Sequence, residues 1–130
     1  MFPDWLHGVI ANVFTVFHDD GTFDEDGQRR FLDALAARGG ISAYFVRSGM
    51  GQMYAYDAED VRRMVRLACT HLRGHAPVLA GTSGIWDRDR DRRPDPDAYT
   101  REAVALSRFA AEAGAAAAVL TMPDAFAAKD

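Results

Sequence analysis

Three segments of this 130-residue sequence place polar or glycine residues at the ends of apolar runs. Asn12 interrupts the first run, Arg47-Ser48-Gly49-Met50 follows the second, and Thr82-Ser83 closes the third. An arginine guanidinium can clamp a carboxylate with two parallel hydrogen bonds. A glycine turn lets an anion approach backbone N–H groups closely. These residues therefore predict a binding site for a small anionic molecule.

Each candidate residue also has a purely structural explanation. Asn12 could be a hydrogen-bonded core amide, although strand alternation places it with Ile10 and Phe14 on the face that we assign to the interior of a barrel. Arg47 could form a salt bridge at the mouth of the site. Tyr54 and Tyr56, a few residues further on, could line the site or an interface. The residues alone leave these alternatives open.

Recognised catalytic and metal-binding motifs do not occur in the sequence. It contains no Ser-His-Asp pattern, no Walker loop and no dinucleotide-binding fingerprint. His71 and His75 lie four residues apart, but Gly74 ends the predicted helix between them, and no carboxylate joins them in a zinc-binding spacing. We therefore expect no metal site within these 130 residues.

Composition narrows the class of protein and its partners. The chain carries 15 Lys and Arg against 19 Asp and Glu, a net charge of −4, and has no basic stripe. Such a chain is a poor candidate for binding nucleic acid or an anionic membrane. No stretch approaches the roughly 18 apolar residues of a membrane span. A single cysteine favours a reducing compartment, so we expect a cytoplasmic protein.

The elements that must position these residues alternate between strands and helices. Four short apolar runs, over residues 8–17, 41–46, 77–82 and 115–121, predict buried strands. Helices are predicted over 25–38, capped by Asp24; from a second cap at Asp57; and over about 97–113. Glycines at 39–40, 74 and 114 end them. The order βαβαβαβ calls for parallel strands with right-handed crossovers.

The spacing of the strands suits two architectures. Their predicted starts near residues 9, 41, 77 and 115 lie 32, 36 and 38 residues apart. A (β/α)8 barrel of about 250 residues allots roughly 31 residues to each unit. Half of such a barrel and a small open α/β sheet both fit, so periodicity alone does not separate them.

Local motifs favour the barrel. The sequence resembles the dihydrodipicolinate synthase / N-acetylneuraminate lyase family over nearly its whole length and in the right order. Thr15-Val16-Phe17 stands where that family has a Thr-Pro-Phe-like triplet, and the segment 48–52 stands at its Gly-Thr-Thr-Gly-Glu loop. Residues 77–82 match its strand-3 motif, and Pro123-Asp124-Ala125 stands at its Pro-Tyr-Tyr element.

The resemblance implies a fold and a chemistry. The fold would be α/β, a single partial domain over residues 1–130 that supplies the N-terminal half, βα units 1–4, of a TIM (β/α)8 barrel with parallel strands. The chemistry would be a lyase or aldolase reaction through a Schiff base between a sixth-strand lysine and a small α-keto acid such as pyruvate, with a fifth-strand tyrosine relaying protons. The resemblance implies that this chemistry needs neither a metal nor an organic cofactor. Lys129, past the fourth strand, is not expected to be that nucleophile, so the resemblance implies no catalytic residue within this sequence.

Departures from the family pattern put the substrate in doubt. Gly49 and Met50 stand where the family has two threonines, and Ala125 stands at a tyrosine. With these hydroxyls gone, we expect an altered α-keto acid or aldehyde substrate. The alternatives are a non-catalytic half-barrel that self-associates through its open sheet edges and a small anion-binding α/β module. We expect a homo-oligomer, because half a barrel exposes apolar faces.

The connection between the third strand and the third helix, residues 84–97, is longer than the usual two to six residues. Its Arg and Asp residues nearly cancel in charge, which is typical of a solvated loop held by ion pairs. Because it lies on the side of a barrel where active sites form, it could also be a lid or an interface element anchored by Trp86.

Overall fold

The computed structural model describes residues 3–86 and 94–121 of the chain. It contains four strands, β1 to β4, three helices, α1 to α3, and two short 3-10 turns over Asp4–Leu6 and Met53–Ala55. In chain order the strands and helices are β1 Val9–Asn12, α1 Glu25–Arg38, β2 Ile41–Val46, α2 Ala58–His71, β3 Val78–Gly81, α3 Pro96–Ala113 and β4 Ala117–Val119.

Aspartate side chains begin all three helices. The Asp24 carboxylate accepts from the Gly27 N–H at 2.8 Å, and Asp57 accepts from Asp60 N–H at the same distance. The predicted bounds of α1 and the predicted cap of α2 agree with the structure. Helix α3 starts one residue earlier than predicted, because Asp95 is its cap and Pro96 suits the first helical position.

The first strand is shorter than the predicted run over residues 8–17. It ends at Asn12. The Val13 N–H still donates to the Phe45 carbonyl of β2, but beyond it the Phe14 carbonyl and the Val16 N–H bond to the buried Gln28 side chain. The predicted alternation continues in exposure as far as Phe14, since Ile10, Asn12 and Phe14 are exposed and Val13 between them is fully buried. The ring centroid of Phe14 also lies 6.5 Å from that of Phe31 in α1. Asn12 itself is exposed.

The core lies between the sheet and the helices. Alternate strand residues face it: Val46 and Ala80, which pair across β2 and β3, are both fully buried there. Cys69 of α2 is a free thiol within this core. Large buried members of the core include Val13, Leu32, Val61, Met64, Val65 and Leu106.

Strand order separates the two architectures that spacing left open. The order is β1-β2-β3-β4 and all three pairings are parallel. Sequential parallel strands with right-handed crossovers place every helix on one face of the sheet, whereas doubly wound sheets reverse their order and cover both faces. The fold is therefore α/β and has the topology of the N-terminal half of a (β/α)8 barrel.

Candidate site at the carboxyl ends of the strands

The sequence-predicted site residues come together at one edge of the sheet. Because the strands are parallel and adjacent, their carboxyl ends meet, and active sites of barrel enzymes form at that edge. Exposure divides the residues into two groups. Asn12, Gly49 and Met50 are exposed. The buried group comprises Arg47, Ser48, Thr82 and Ser83.

The loop after β2 has a fixed base and a free crest. Ser48 and Gly51 are buried at the base, where the Gly51 N–H donates to Ser48 Oγ at 3.0 Å. The Met53 N–H donates to the Ser48 carbonyl at 3.2 Å, which closes the turn. Gly49 and Met50 form the crest, and their N–H groups have no hydrogen-bond acceptor among the described residues. Two adjacent exposed amides without a protein acceptor can hold an anion.

Strained backbone flanks the loop. Arg47 has a φ of 52° and Gln52 a φ of 57°, and no other non-glycine residue of the described chain has a positive φ. Side chains disfavour this left-handed region, and such residues cluster at binding and catalytic sites. The two strained positions therefore mark the loop between them as the segment with the strongest backbone signal of function.

Arg47 is a buried brace in this structure. Its Nη1 donates to the carbonyls of Ser83 at 2.5 Å and Gly81 at 3.2 Å, and its Nη2 donates to that of Gly84 at 3.3 Å. No carboxylate of the described residues lies within ion-pair distance of it, and burial lowers the pKa of the guanidinium. The side chain ties the end of β2 to the segment after β3. A direct carboxylate clamp by Arg47 stays a prediction.

The hydroxyls that follow β3 bind neighbouring elements. Thr82 Oγ1 accepts from Ser107 of α3 at 2.8 Å, and Ser83 Oγ accepts from the N–H of Thr121 at 2.8 Å. Both residues are buried, so in this structure they hold α3 and the end of β4 against the site edge. Their predicted contact with a ligand is not tested by these bonds.

Sequence reasoning missed two residues that support the loop. Thr15 Oγ1 donates to the Gly51 carbonyl at 2.6 Å and accepts from Tyr56 Oη. Gln28, fully buried, donates to the Phe14 carbonyl. Thr15 had a signal in the family-like triplet, but Gln28 had none, because its partners lie on another element.

Some predictions fall outside the described residues. Residues 87–93, half of the connection over 84–97, are among them, as are Pro123, Ala125 and Lys129. None of the helices in the described ranges is long and apolar enough to cross a membrane.

A parallel half-barrel with polar residues at the carboxyl ends of its strands has the fold class of the TIM barrels. Within that class, residues 5–124 match the model of the dihydrodipicolinate synthetase family. The chain belongs to this family, as its motifs predicted.

Similar proteins carry several enzyme names. A probable 5-dehydro-4-deoxyglucarate dehydratase of Streptomyces coelicolor is 34% identical over 116 residues, which is 88% of this chain and 31% of that protein. A 4-hydroxy-tetrahydrodipicolinate synthase of Methanothrix thermoacetophila is 34% identical over 120 residues, 91% of this chain and 35% of that protein.

A solved structure shows the same fold. YagE of Escherichia coli K12, a protein of the dihydrodipicolinic acid synthase family crystallised with pyruvate, superposes with a TM-score of 0.70 at 29% identity. The match covers 87% of this chain and 33% of YagE. The chain thus spans about a third of the length of the relatives that it matches.

Proposed function

We propose that this chain supplies the first four βα units of a lyase barrel that forms a Schiff base with a small α-keto acid, and that its strand-2 loop holds the carboxylate of that acid. Asn12, Arg47, Ser48, Gly49, Met50, Thr82 and Ser83 form the proposed substrate-binding edge. The observation that carries the proposal is the pair of N–H groups at Gly49 and Met50 that have no acceptor among the described residues, between two strained residues.

Relatives support the reaction class. The names of similar proteins include a dehydratase, a synthase and a putative aldolase, and YagE was crystallised with pyruvate. Backbone amides can bind a carboxylate without side-chain hydroxyls, so the loop keeps this capacity although Gly49 and Met50 lack them. Met50 is instead 58% exposed and places an apolar side chain at the crest. This supports a substrate that differs from those of relatives with two threonines there.

Binding of pyruvate tests the loop directly. We expect saturable shifts of the Gly49 and Met50 amide resonances when pyruvate is titrated into the ¹⁵N-labelled protein. Methyl pyruvate, which has the same carbon skeleton without the charge, is the matched control and should shift them little. Equal responses to both ligands, or no saturable response to pyruvate, would overturn the proposed carboxylate site.

Reductive trapping tests the Schiff base. In a protein that joins this chain to strands five to eight, borohydride and pyruvate should label a sixth-strand lysine. Mass spectrometry locates the adduct. A label on Lys129, the one lysine of this sequence, would contradict the proposed assignment.

As the alternative to a completed barrel, in which β1 and β4 would both be paired, we propose that copies of the chain associate. Strands β1 and β4 lie at the two ends of the described four-strand sheet. Val9 and Leu120, beside those ends, are 59% and 58% exposed. Unpaired strand edges with apolar neighbours favour pairing with another chain. Light scattering should give a mass above 14.3 kDa, and a monomer at all accessible concentrations would exclude self-association.

We also propose the cytoplasm as its compartment, since its single cysteine, Cys69, is a free buried thiol.

A further inference from the structure

Two hydroxyl groups form a chain beneath the strand-2 loop. Tyr56 Oη donates to Thr15 Oγ1, and Thr15 Oγ1 donates to the Gly51 carbonyl at 2.6 Å. Thr15 and Gly51 lie 36 residues apart in sequence, on the segments that follow β1 and β2. The bonds therefore join two separate loops of the site edge.

The Tyr56 end of this chain of hydrogen bonds is buried among aromatic rings. Tyr56 is 3% exposed, and its ring centroid lies 5.9 Å from that of Phe17 and 6.4 Å from that of Phe23. Burial raises the pKa of the phenol, although the bond to Thr15 opposes this. Tyr56 therefore stays protonated and remains a donor throughout the physiological pH range.

The Gly51 end leaves the loop no room to shift. A Cβ atom on Gly51 would lie 2.7 Å from the Val13 carbonyl oxygen, so the backbone of the loop touches the end of the β1 segment. Its N–H and C=O are both bonded, to Ser48 Oγ and Thr15 Oγ1 respectively. The crest of Gly49 and Met50 thus projects from a residue that is fixed on three sides.

Thr15 is itself held from α1. Gln28 donates to the Phe14 carbonyl at 3.1 Å and accepts from the Val16 N–H at 2.9 Å, on either side of Thr15. Buried amides that satisfy two backbone groups place a segment accurately, because breaking either bond leaves a buried polar group without a partner. Hydrogen bonds therefore connect α1 to the segment around Thr15, and Thr15 to the loop after β2.

From these contacts we propose that Thr15 and Tyr56 are positioning residues for carboxylate binding at the crest of the strand-2 loop. This inference rests on the proposed function. Both would act through the loop and not on the substrate, since Tyr56 is buried and Thr15 bonds to the loop backbone. Their hydroxyls hold the base of the loop. Gly49 and Met50 at its crest have no hydroxyl groups of their own.

Hydroxyl removal is the test. The variants are Tyr56→Phe and Thr15→Val, with Thr15→Ser as the conservative variant and Tyr44→Phe as the matched control, since Tyr44 is a buried tyrosine of β2 facing the helices. Pyruvate affinity at the Gly49 and Met50 amides should fall about fivefold in the first two, the equivalent of one typical hydrogen bond. Thr15→Ser should restore it, and Tyr44→Phe should leave it within about twofold.

A second readout needs no ligand. Amide hydrogen exchange at Gly51 and Met53, which donate within the loop, should speed up in Tyr56→Phe and Thr15→Val relative to Tyr44→Phe. If the original protein does not bind pyruvate, the proposed function fails, and exchange still decides the positioning role. Unchanged exchange, or unchanged affinity in a protein that does bind pyruvate, would overturn this inference.

Discussion

Gly81 and Arg47 fit against each other because Gly81 has no side chain. A Cβ atom on Gly81 would overlap the backbone carbonyl oxygen of Arg47, and the Gly81 carbonyl accepts from the Arg47 guanidinium. The strained backbone of Arg47, directly after β2, thus depends on the glycine at the end of β3 for space. This close approach draws the segments after the two strands together at the site edge.

Replacing Gly81 by alanine should therefore destabilise the fold. The added methyl group forces backbone apart at a buried position, for which overpacking costs about 1–3 kcal/mol. Urea unfolding measures the change. Gly49→Ala is the matched control, because a Cβ there would meet nothing within 4 Å. Equal stability of the two variants would show that the contact between β2 and β3 can relax without cost.

The two hydrogen bonds of the Gln28 side chain to the backbone on either side of Thr15 predict a second stability change. Gln28→Leu keeps the volume but leaves the Phe14 carbonyl and the Val16 N–H without their partner. Each unsatisfied buried group costs about 1–3 kcal/mol, so we expect a loss of about 2 kcal/mol or more in the free energy of unfolding. Ala37→Leu, at an exposed position of the same helix, should change it by less than about 0.5 kcal/mol. A Gln28→Leu protein as stable as that control would show that the two hydrogen bonds of Gln28 do not stabilise the fold.

Local patterns predicted the helices well. Asp24 and Asp57 begin α1 and α2 because a carboxylate that accepts from the first-turn N–H groups needs only its own neighbours in sequence. Strand β2 also has its predicted bounds, 41–46, since its apolar run begins directly after Gly40 and ends before the polar pair Arg47-Ser48.

Contacts between distant segments were beyond prediction. The backbone after β1 bonds to Gln28, and the bond from Thr15 to Gly51 spans 36 residues, so neither leaves a periodic pattern in the sequence. Arg47 was predicted as a possible clamp because its type suits a carboxylate. Its actual acceptors are carbonyls 34 to 37 residues away, which appear only when β2 and β3 are side by side.

The Asp24 cap predicts a pH dependence of stability. The pKa of Asp24 is lowered, mainly because the Gly27 N–H donates to its carboxylate, with further help from His18 and Arg30. A carboxyl with a lower pKa in the folded state stabilises the fold above its unfolded pKa of about 3.9. That contribution is lost as the pH falls through the folded pKa.

Comparison with Asp24→Asn isolates this charge, because asparagine is also a good helix cap. Thermal unfolding should show a lower midpoint for the variant at pH 7. The difference should shrink as the pH falls below about 4 and vanish near about pH 2. A difference that is constant over this range would show that the carboxylate charge does not contribute to the cap.

Arg47 gives the prediction that best separates a structural role from a binding role. Arg47→Met keeps an apolar stem of similar length but removes the donors to the carbonyls of Gly81, Ser83 and Gly84. It also removes a buried charge that has no carboxylate partner among the described residues. The two effects oppose each other. Because unsatisfied buried carbonyls cost about 1–3 kcal/mol each, we expect the loss of donors to win and the free energy of unfolding to fall by about 2 kcal/mol. Arg47→Lys, which keeps a cation but lacks the planar fork, should lose less, and Arg101→Met, at an exposed position of α3, should lose almost nothing.

Pyruvate affinity, measured on the variants that remain folded, then shows whether Arg47 does more than brace the edge. If Arg47→Lys binds pyruvate as the original protein does while being less stable, the guanidinium acts only through structure. A weaker affinity for pyruvate in Arg47→Lys, with no change for methyl pyruvate, would instead support the predicted carboxylate clamp.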